Sequence, residues 1–211
     1  MRTLVPILFI VLAAGCKAKD SGTISQADTT AASSTTTTTG TEAPISSTET
    51  AVAPEVNPPG DIPDTQAFVK YSNTAGGYQL EVPEGWARTE AGGDVTFVNK
   101  FDGVGIAVTP ATVAPTAASA QANEAKQIQS QGKAVTINGV SAANLPGGNA
   151  VVIKYTSNSD PNPVTNKRVR VENVTYIFSK GGKEATLTVW APQGADNADQ
   201  WNRMSKSFRW L

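Results

Sequence analysis

The amino-acid sequence predicts an α+β domain, an antiparallel β-sheet flanked by helices, carried behind an export leader and a long polar linker. Three observations lead there. The composition breaks near residue 60: positions 17 to 60 hold no Phe, Trp or Tyr, and 17 of those 44 residues are Ser or Thr, whereas aromatics return beyond Asp61. Beyond the break, apolar residues alternate with polar ones at a period of two between Gly and Pro turns, the pattern of half-buried strands. Two stretches, 115 to 131 and 196 to 208, carry helical spacing instead. A chain of 211 residues with this layout is expected to hold one folded domain.

Taken in order, Tyr78, Leu80 and Val82 alternate with Gln79 and Glu81 as a strand, and Pro83-Glu84-Gly85 ends it. Val95 and Phe97 mark a second strand. Asp102-Gly103 reads as a turn pair before a third strand, 104 to 109, so that a hairpin is expected here. Residues 115 to 131 are rich in Ala, Gln, Glu and Lys, good helix formers, with a weak apolar stripe that predicts a surface helix stopped by Gly132. A long strand with a bend or turn at Asn138-Gly139 spans 134 to 145, and Val151, Ile153 and Tyr155 share one face of the next. After a polar loop with Pro161 and Pro163, two strands flank Gly181-Gly182, a hairpin signal. Asp196 is placed to cap a last helix, with Asp199 in its first turn. Its apolar positions (Ala198, Trp201, Met204 or Ser205, Phe208) are spaced to pack on the sheet.

The N-terminus carries an address. Arg2, the apolar run Leu4 to Leu12 and the small residues Ala13, Ala14 and Gly15 have the layout of a signal peptide over residues 1–15. A membrane-spanning helix needs about 20 apolar residues, more than twice this run. L-A-A-G-C at positions 12 to 16 resembles the lipobox of bacterial lipoproteins, although Ala13 stands where leucine is commonest. The resemblance implies cleavage before Cys16 and a diacylglycerol on its thiol. It also accounts for a single unpaired cysteine in an exported chain. Two acyl chains anchor stably where one does not. Residues 16–62 are then expected to be the lipidated cysteine plus a disordered Ser/Thr/Pro-rich linker, which buries too little apolar area to offset the entropy of ordering it. Such a stalk is either a bare spacer or a carrier of O-glycans. The folded domain is placed at 63–211.

The motifs G-G-Y-Q-L-E-V-P-E-G-W and D-V-T-F, with the closing W-N-R-M-S-K-S-F-R-W, resemble PsbP-like domains. The anchors of the resemblance are Tyr78, Pro83, Trp86, Ser207 and Phe208, and it covers most of residues 65 to 211. It implies an α/β/α sandwich and a non-catalytic role in binding, assembly or accessory support. The metal-binding histidines of some photosynthetic members have no counterpart, because this chain contains no histidine.

The chemistry available is narrow. Without histidine and with the one cysteine assigned to lipid, neither common hydrolase triads nor typical zinc sites are expected, and no cofactor is called for. Ser130-Gln-Gly-Lys133 spells S-x-x-K, but Gly132 falls where the helix should end, and the companion motifs are missing. Gly181-Gly182-Lys183 is a turn rather than a phosphate loop. Asp196, Asn197 and Asp199 lack the EF-hand spelling, so capping is preferred to calcium binding. Asn173-Val-Thr175 spells a glycosylation site inside a strand and is set aside. The formal charge is −1, with 17 basic and 18 acidic residues, unlike the basic footprint of a nucleic-acid binder.

Two surface features remain. Lys167, Arg168 and Arg170 form a basic cluster at a strand start, a tentative site for anionic lipid or an acidic partner. The plainer role for these charges is to protect a sheet edge. Trp86, Trp190, Trp201 and Trp210 are expected to be mostly core, a ligand groove being the alternative. The leading expectation is a non-enzymatic envelope lipoprotein. It is anchored through Cys16 to the cell or outer membrane, faces the extracytoplasmic side and binds an envelope protein or complex. The alternatives are a small-ligand carrier with a pocket between sheet and helix, and a histidine-free enzyme using carboxylates such as Glu81, Glu84 or Glu172.

Overall fold

The computed structural model describes residues 49–162 and 164–211. The expected signal peptide, Cys16 and the linker up to residue 48 lie outside them. Seven strands, β3 (Ala87–Ala91), β4 (Asp94–Asn99), β5 (Asp102–Pro110), β6 (Thr136–Leu145), β7 (Gly148–Asn158), β8 (Arg170–Lys180) and β9 (Lys183–Pro192), form one antiparallel sheet in the order β3-β4-β5-β9-β8-β7-β6. A second antiparallel sheet joins β1 (Phe68–Asn73), β2 (Tyr78–Pro83) and β10 (Arg209–Trp210) in the order β1-β2-β10. Three helices, α1 (Ala117–Ala122), α2 (Glu124–Gln131) and α3 (Ala198–Ser207), complete the domain. Gly181 and Gly182 link β8 to β9 with φ of 57° and 78°, left-handed values that a two-residue hairpin of this type requires.

The large sheet is apolar on both faces. On one face Val104, Ile106, Val152, Val174, Phe178, Leu187 and Val189 are buried under the small sheet and α3. On the other, Val151, Ile153 and Ile177 are buried with Ala120 and Ala125 of the paired helices α1 and α2. The expected antiparallel sheet flanked by helices is therefore present. One outer layer, however, is a mixed one in which α3 lies beside three short strands. A ring stack closes the larger core: Phe208 is fully buried, with its centroid 4.4 Å from Phe178 and 6.0 Å from Tyr78. Ser207, the residue before it, accepts the Glu81 backbone N–H at 2.8 Å and so ties the end of α3 to β2.

Several expectations need correction. The hairpin between β4 and β5 turns at Lys100-Phe101, with Lys100 at φ 56°, and Asp102 and Gly103 already pair with Asn99 and Val98. The helix of residues 115 to 131 is broken at Asn123, although Gly132 stops it as expected. The bend expected at Asn138-Gly139 is a β-bulge between Ile137 and Gly139. Asp196 does not cap α3. Asn197 holds the cap position, but its side chain turns away to accept the Ile62 N–H at 2.6 Å and donate to the Gly60 carbonyl at 2.7 Å.

Those bonds expose a further difference. Residues 49 to 62, assigned by composition to the linker, form a strap against the domain. The Asn158 side chain acts as a surrogate strand, accepting the Val52 N–H and donating to the Thr50 carbonyl. Arg168 pairs with Glu49 at 2.7 Å, Lys167 pairs with Glu55, and Ile62 is buried to 5% exposure. Low aromatic content hid this attachment, because it is made by single polar side chains and one isoleucine.

Two outcomes follow for stability. Burying an isoleucine contributes about 1.5–3 kcal/mol. A chain starting at residue 65 should therefore melt roughly 4 °C or more below one starting at residue 49, measured by thermal denaturation. Tyr78→Phe should leave the melting temperature unchanged or raise it, because the Tyr78 hydroxyl is buried without a hydrogen-bond partner.

Candidate functional site

Helices α1 and α2 pack over β6 and β7, with Ile177 of β8 buried beside them; farther along that side of the sheet Val98, Gly105, Thr188 and Trp190 are half-buried, while Asn173 and Thr175 are buried. The strand registers put one cross-strand row on that face: Val98, Gly103, Trp190, Asn173 and Tyr155 lie opposite one another from β4 to β7. At about 4.8 Å per strand the row is roughly 19 Å long. Gly105, Thr188 and Thr175 form the next row. With the Lys100-Phe101 turn, the 159 to 162 loop and Pro59 of the strap as rim, Val98, Trp190, Asn173, Tyr155 and Thr188 of these rows line a cleft of about 830 Å³.

Trp190 dominates the floor. A side chain at Gly103 would come within 1.9 Å of its ring, and one at Gly105 within 3.6 Å. The indole thus lies flat across the glycine stripe of β5, and its opposite face is turned to the cleft. Only glycine leaves room for so close an approach. Asn173 beside it donates to Ser157 Oγ at 3.1 Å, and the Thr175 and Thr188 hydroxyls bond each other at 2.9 Å. Burial raises the Tyr155 hydroxyl above its usual pKa, its contact with Thr175 offsetting part of the rise. The cleft walls are therefore mostly apolar, with Val98, Phe101, Val171 and Trp190 beside the neutral amide and hydroxyl groups of Asn173, Thr188 and Ser159, and Lys100 and Asp160 are the charged residues of the lining.

The four tryptophans separate by place. Trp86, Trp201 and Trp210 are half-buried against the larger core, as expected of most, whereas Trp190 belongs to neither core. The Gly103-x-Gly105 spacing was the available sign of its platform. It can be read only once β5 is known to neighbour β9.

The basic cluster is differently placed from expectation. Arg170 is 6% exposed, donating to the Ala134 carbonyl, Asn158 and Thr156, and burial lowers its pKa. It is thereby withdrawn from any surface partner. Lys167 and Arg168 hold the strap through Glu55 and Glu49. Nor do these charges guard an edge, since β8 is an inner strand and β3 and β6 are the edges. Glu81 pairs with Arg203 at 2.7 Å, and none of Glu81, Glu84 and Glu172 lines the cleft. Ser130 donates to the Gln127 carbonyl while Lys133 pairs with Asp160, so the S-x-x-K spelling joins nothing. No group of three His, Cys, Asp or Glu among the described residues is placed to hold a metal. Among them, too, no helix is long and apolar enough to cross a membrane.

One ionisable group escaped the sequence reading. Asp102, expected at a turn, is 4% exposed behind Gly60, and its Oδ1 has no hydrogen-bond partner among the described residues. Burial, then the nearby Asp61 charge, raises its pKa from 3.8 to about 7 against the opposing pull of Lys100.

No family model matches the chain, and no curated protein does. Among solved structures it is similar to the cyanobacterial PsbP (CyanoP) of Synechocystis sp. PCC 6803, at 16% identity over 72% of this chain and 98% of that one, with a TM-score of 0.49. It is also similar to a Bacteroides thetaiotaomicron protein, at 11% identity over 67% of this chain and 48% of that one, with a TM-score of 0.46. A third is LpqN of Mycobacterium tuberculosis, involved in cell envelope biogenesis, at 15% identity over 69% of this chain and 85% of that one, with a TM-score of 0.38.

Asp102 sets a pH dependence. With its pKa raised in the fold, it keeps its proton where the unfolded chain has lost it, so folding takes up a proton between about pH 3.8 and 7. Its contribution to stability is full below that window and is lost as pH rises through it. The melting temperature should fall between about pH 4 and pH 7 and level off above that, and Asp102→Asn should flatten that slope.

Proposed function

We propose that this chain is an exported lipoprotein, anchored through Cys16 on the extracytoplasmic side of a bacterial membrane, whose domain acts by binding a component of the cell envelope. The observation that carries the binding role is the part of the sheet face beyond α1 and α2, where Trp190 is held flat above a glycine stripe. A domain that packs Trp86, Trp201 and Trp210 against its larger core gains nothing in stability from leaving Trp190 in a cleft of this size. A pre-formed concave site with a few convergent polar groups is the usual form of a ligand site. The cleft lies on the sheet beside α2 rather than between sheet and helix, so a carrier enclosing its ligand fits the geometry less well. An anchor raises the local concentration of such a module near its target.

Cys16→Ala should move the chain from the membrane fraction to the soluble one, and intact-mass measurement should find lipid on Cys16. The full-length Cys16→Ala chain, which carries no anchor, should be retained by envelope preparations of its host, and adding Trp190→Ala should reduce that retention at least about tenfold. Reproducible turnover abolished by changing a single carboxylate, with the fold intact, would overturn the non-catalytic reading.

A further inference from the structure

We infer that the Trp190 cleft binds a neutral oligosaccharide, a deepening that rests on the binding role proposed above. The floor supplies what a pyranose ring needs. One face of a sugar ring is a patch of C–H groups, which stacks on an aromatic surface, and its rim is a belt of hydroxyls that both donate and accept hydrogen bonds. The indole of Trp190, pressed onto Gly103 and Gly105, is a rigid apolar platform of that kind. Ring stacking of this sort loses little conformational entropy, because the Trp190 side chain is already held. Asn173, Thr188, Tyr155 and Ser159 surround the platform with neutral polar groups, of which Asn173, Thr188 and Ser159 also hydrogen-bond within the domain, to Ser157, Thr175 and the Asp160 carbonyl. The roughly 19 Å row from Val98 to Tyr155 gives a length suited to several linked rings rather than one.

Other ligand classes fit worse. A peptide captured by strand addition needs an open sheet edge, and the strands under the cleft are inner strands with both neighbours in place. A nucleic acid or other polyanion needs an array of cations, whereas the lining holds Lys100 and an opposing Asp160, itself paired with Lys133. An acyl chain is best served by an enclosed apolar cavity, and this cleft, although Val98, Phe101 and Val171 join Trp190 in its lining, is open to solvent.

The test uses the full chain in a detergent without a sugar headgroup, titrated with cellotetraose, maltotetraose and tetra-N-acetylchitotetraose. Tryptophan emission and saturation-transfer NMR are the two readouts. At least one tetrasaccharide should shift the emission and show ring-proton transfer. Trp190→Ala should weaken that binding at least about tenfold, while Trp190→Phe, which keeps a ring on the glycine stripe, should retain part of it. Thermal melts of both variants report whether the fold survives. If Trp190→Ala does not fold, the Phe variant and the NMR transfer decide. Silence from all three sugars in both readouts, undiminished binding by Trp190→Ala, or tighter binding of an anionic oligogalacturonate would overturn the inference. Retention on host envelopes in the face of such silence would leave the binding role standing with a different ligand. Loss of both would remove the role as well.

Discussion

The structure depends on the seating of Phe208. This ring is stacked between Phe178 of the large sheet and Tyr78 of the small one, and it is the residue at which α3 gives way to β10. It therefore joins three elements that are remote in sequence, and the small sheet has its third strand only because the chain emerges from that stack onto β2. Aromatic pairs of this kind contribute about 0.5–1.5 kcal/mol beyond the area they bury. The geometry is tight: a side chain at Gly147 would come within 2.7 Å of the Phe208 carbonyl oxygen. The Ser207 hydroxyl bond to Glu81 fixes the rotation of the helix end, so the ring enters the core at one angle.

With that layer closed, the opposite face of the sheet is free to specialise. Two short helices cover its β6–β7 side through the small residues Ala120 and Ala125, which let the helix backbones lie close. The same economy of size appears at Gly103 and Gly105, but there a ring and not a helix takes the space. One sheet thus presents a dry contact on one half of this face and an open cleft on the other. The division follows from where the small residues fall along β5, α1 and α2.

Much of the architecture was legible in the sequence because it is written in period-two alternation: Tyr78, Leu80 and Val82 in β2, and Val151 and Ile153 in β7, are buried as their spacing requires. What escaped notice lacks that signal. Every residue of β3 is exposed on an edge strand, and β10 is two residues long. Asp102-Gly103 has turn chemistry but starts a strand, since Gly103 is needed under Trp190 and Asp102 is shut in behind Gly60. The site was legible only in part. Trp190 was among four candidate rings, but its distinction depends on which strand lies beside it, and strand order is not a local property of sequence. The Arg170 guanidinium looked like surface charge because nothing local announces that Asn158, Thr156 and the Ala134 carbonyl will converge on it.

The strap gives the domain a direction under load. Tension entering from the N-terminal side arrives first at Glu49, held by Arg168 and Asn158, then at Val52 and Glu55, and only afterwards at Gly60 and Ile62 where Asn197 grips the chain. Each tie is a hydrogen bond or ion pair worth on the order of 0.5–1.5 kcal/mol, and they are strung in series along the chain. A pull on this molecule is therefore met by a sequence of small, reversible detachments before it reaches β1. Drag thus lengthens this segment before it strains the sheet, and it takes Pro59 off the rim of the cleft as it does so.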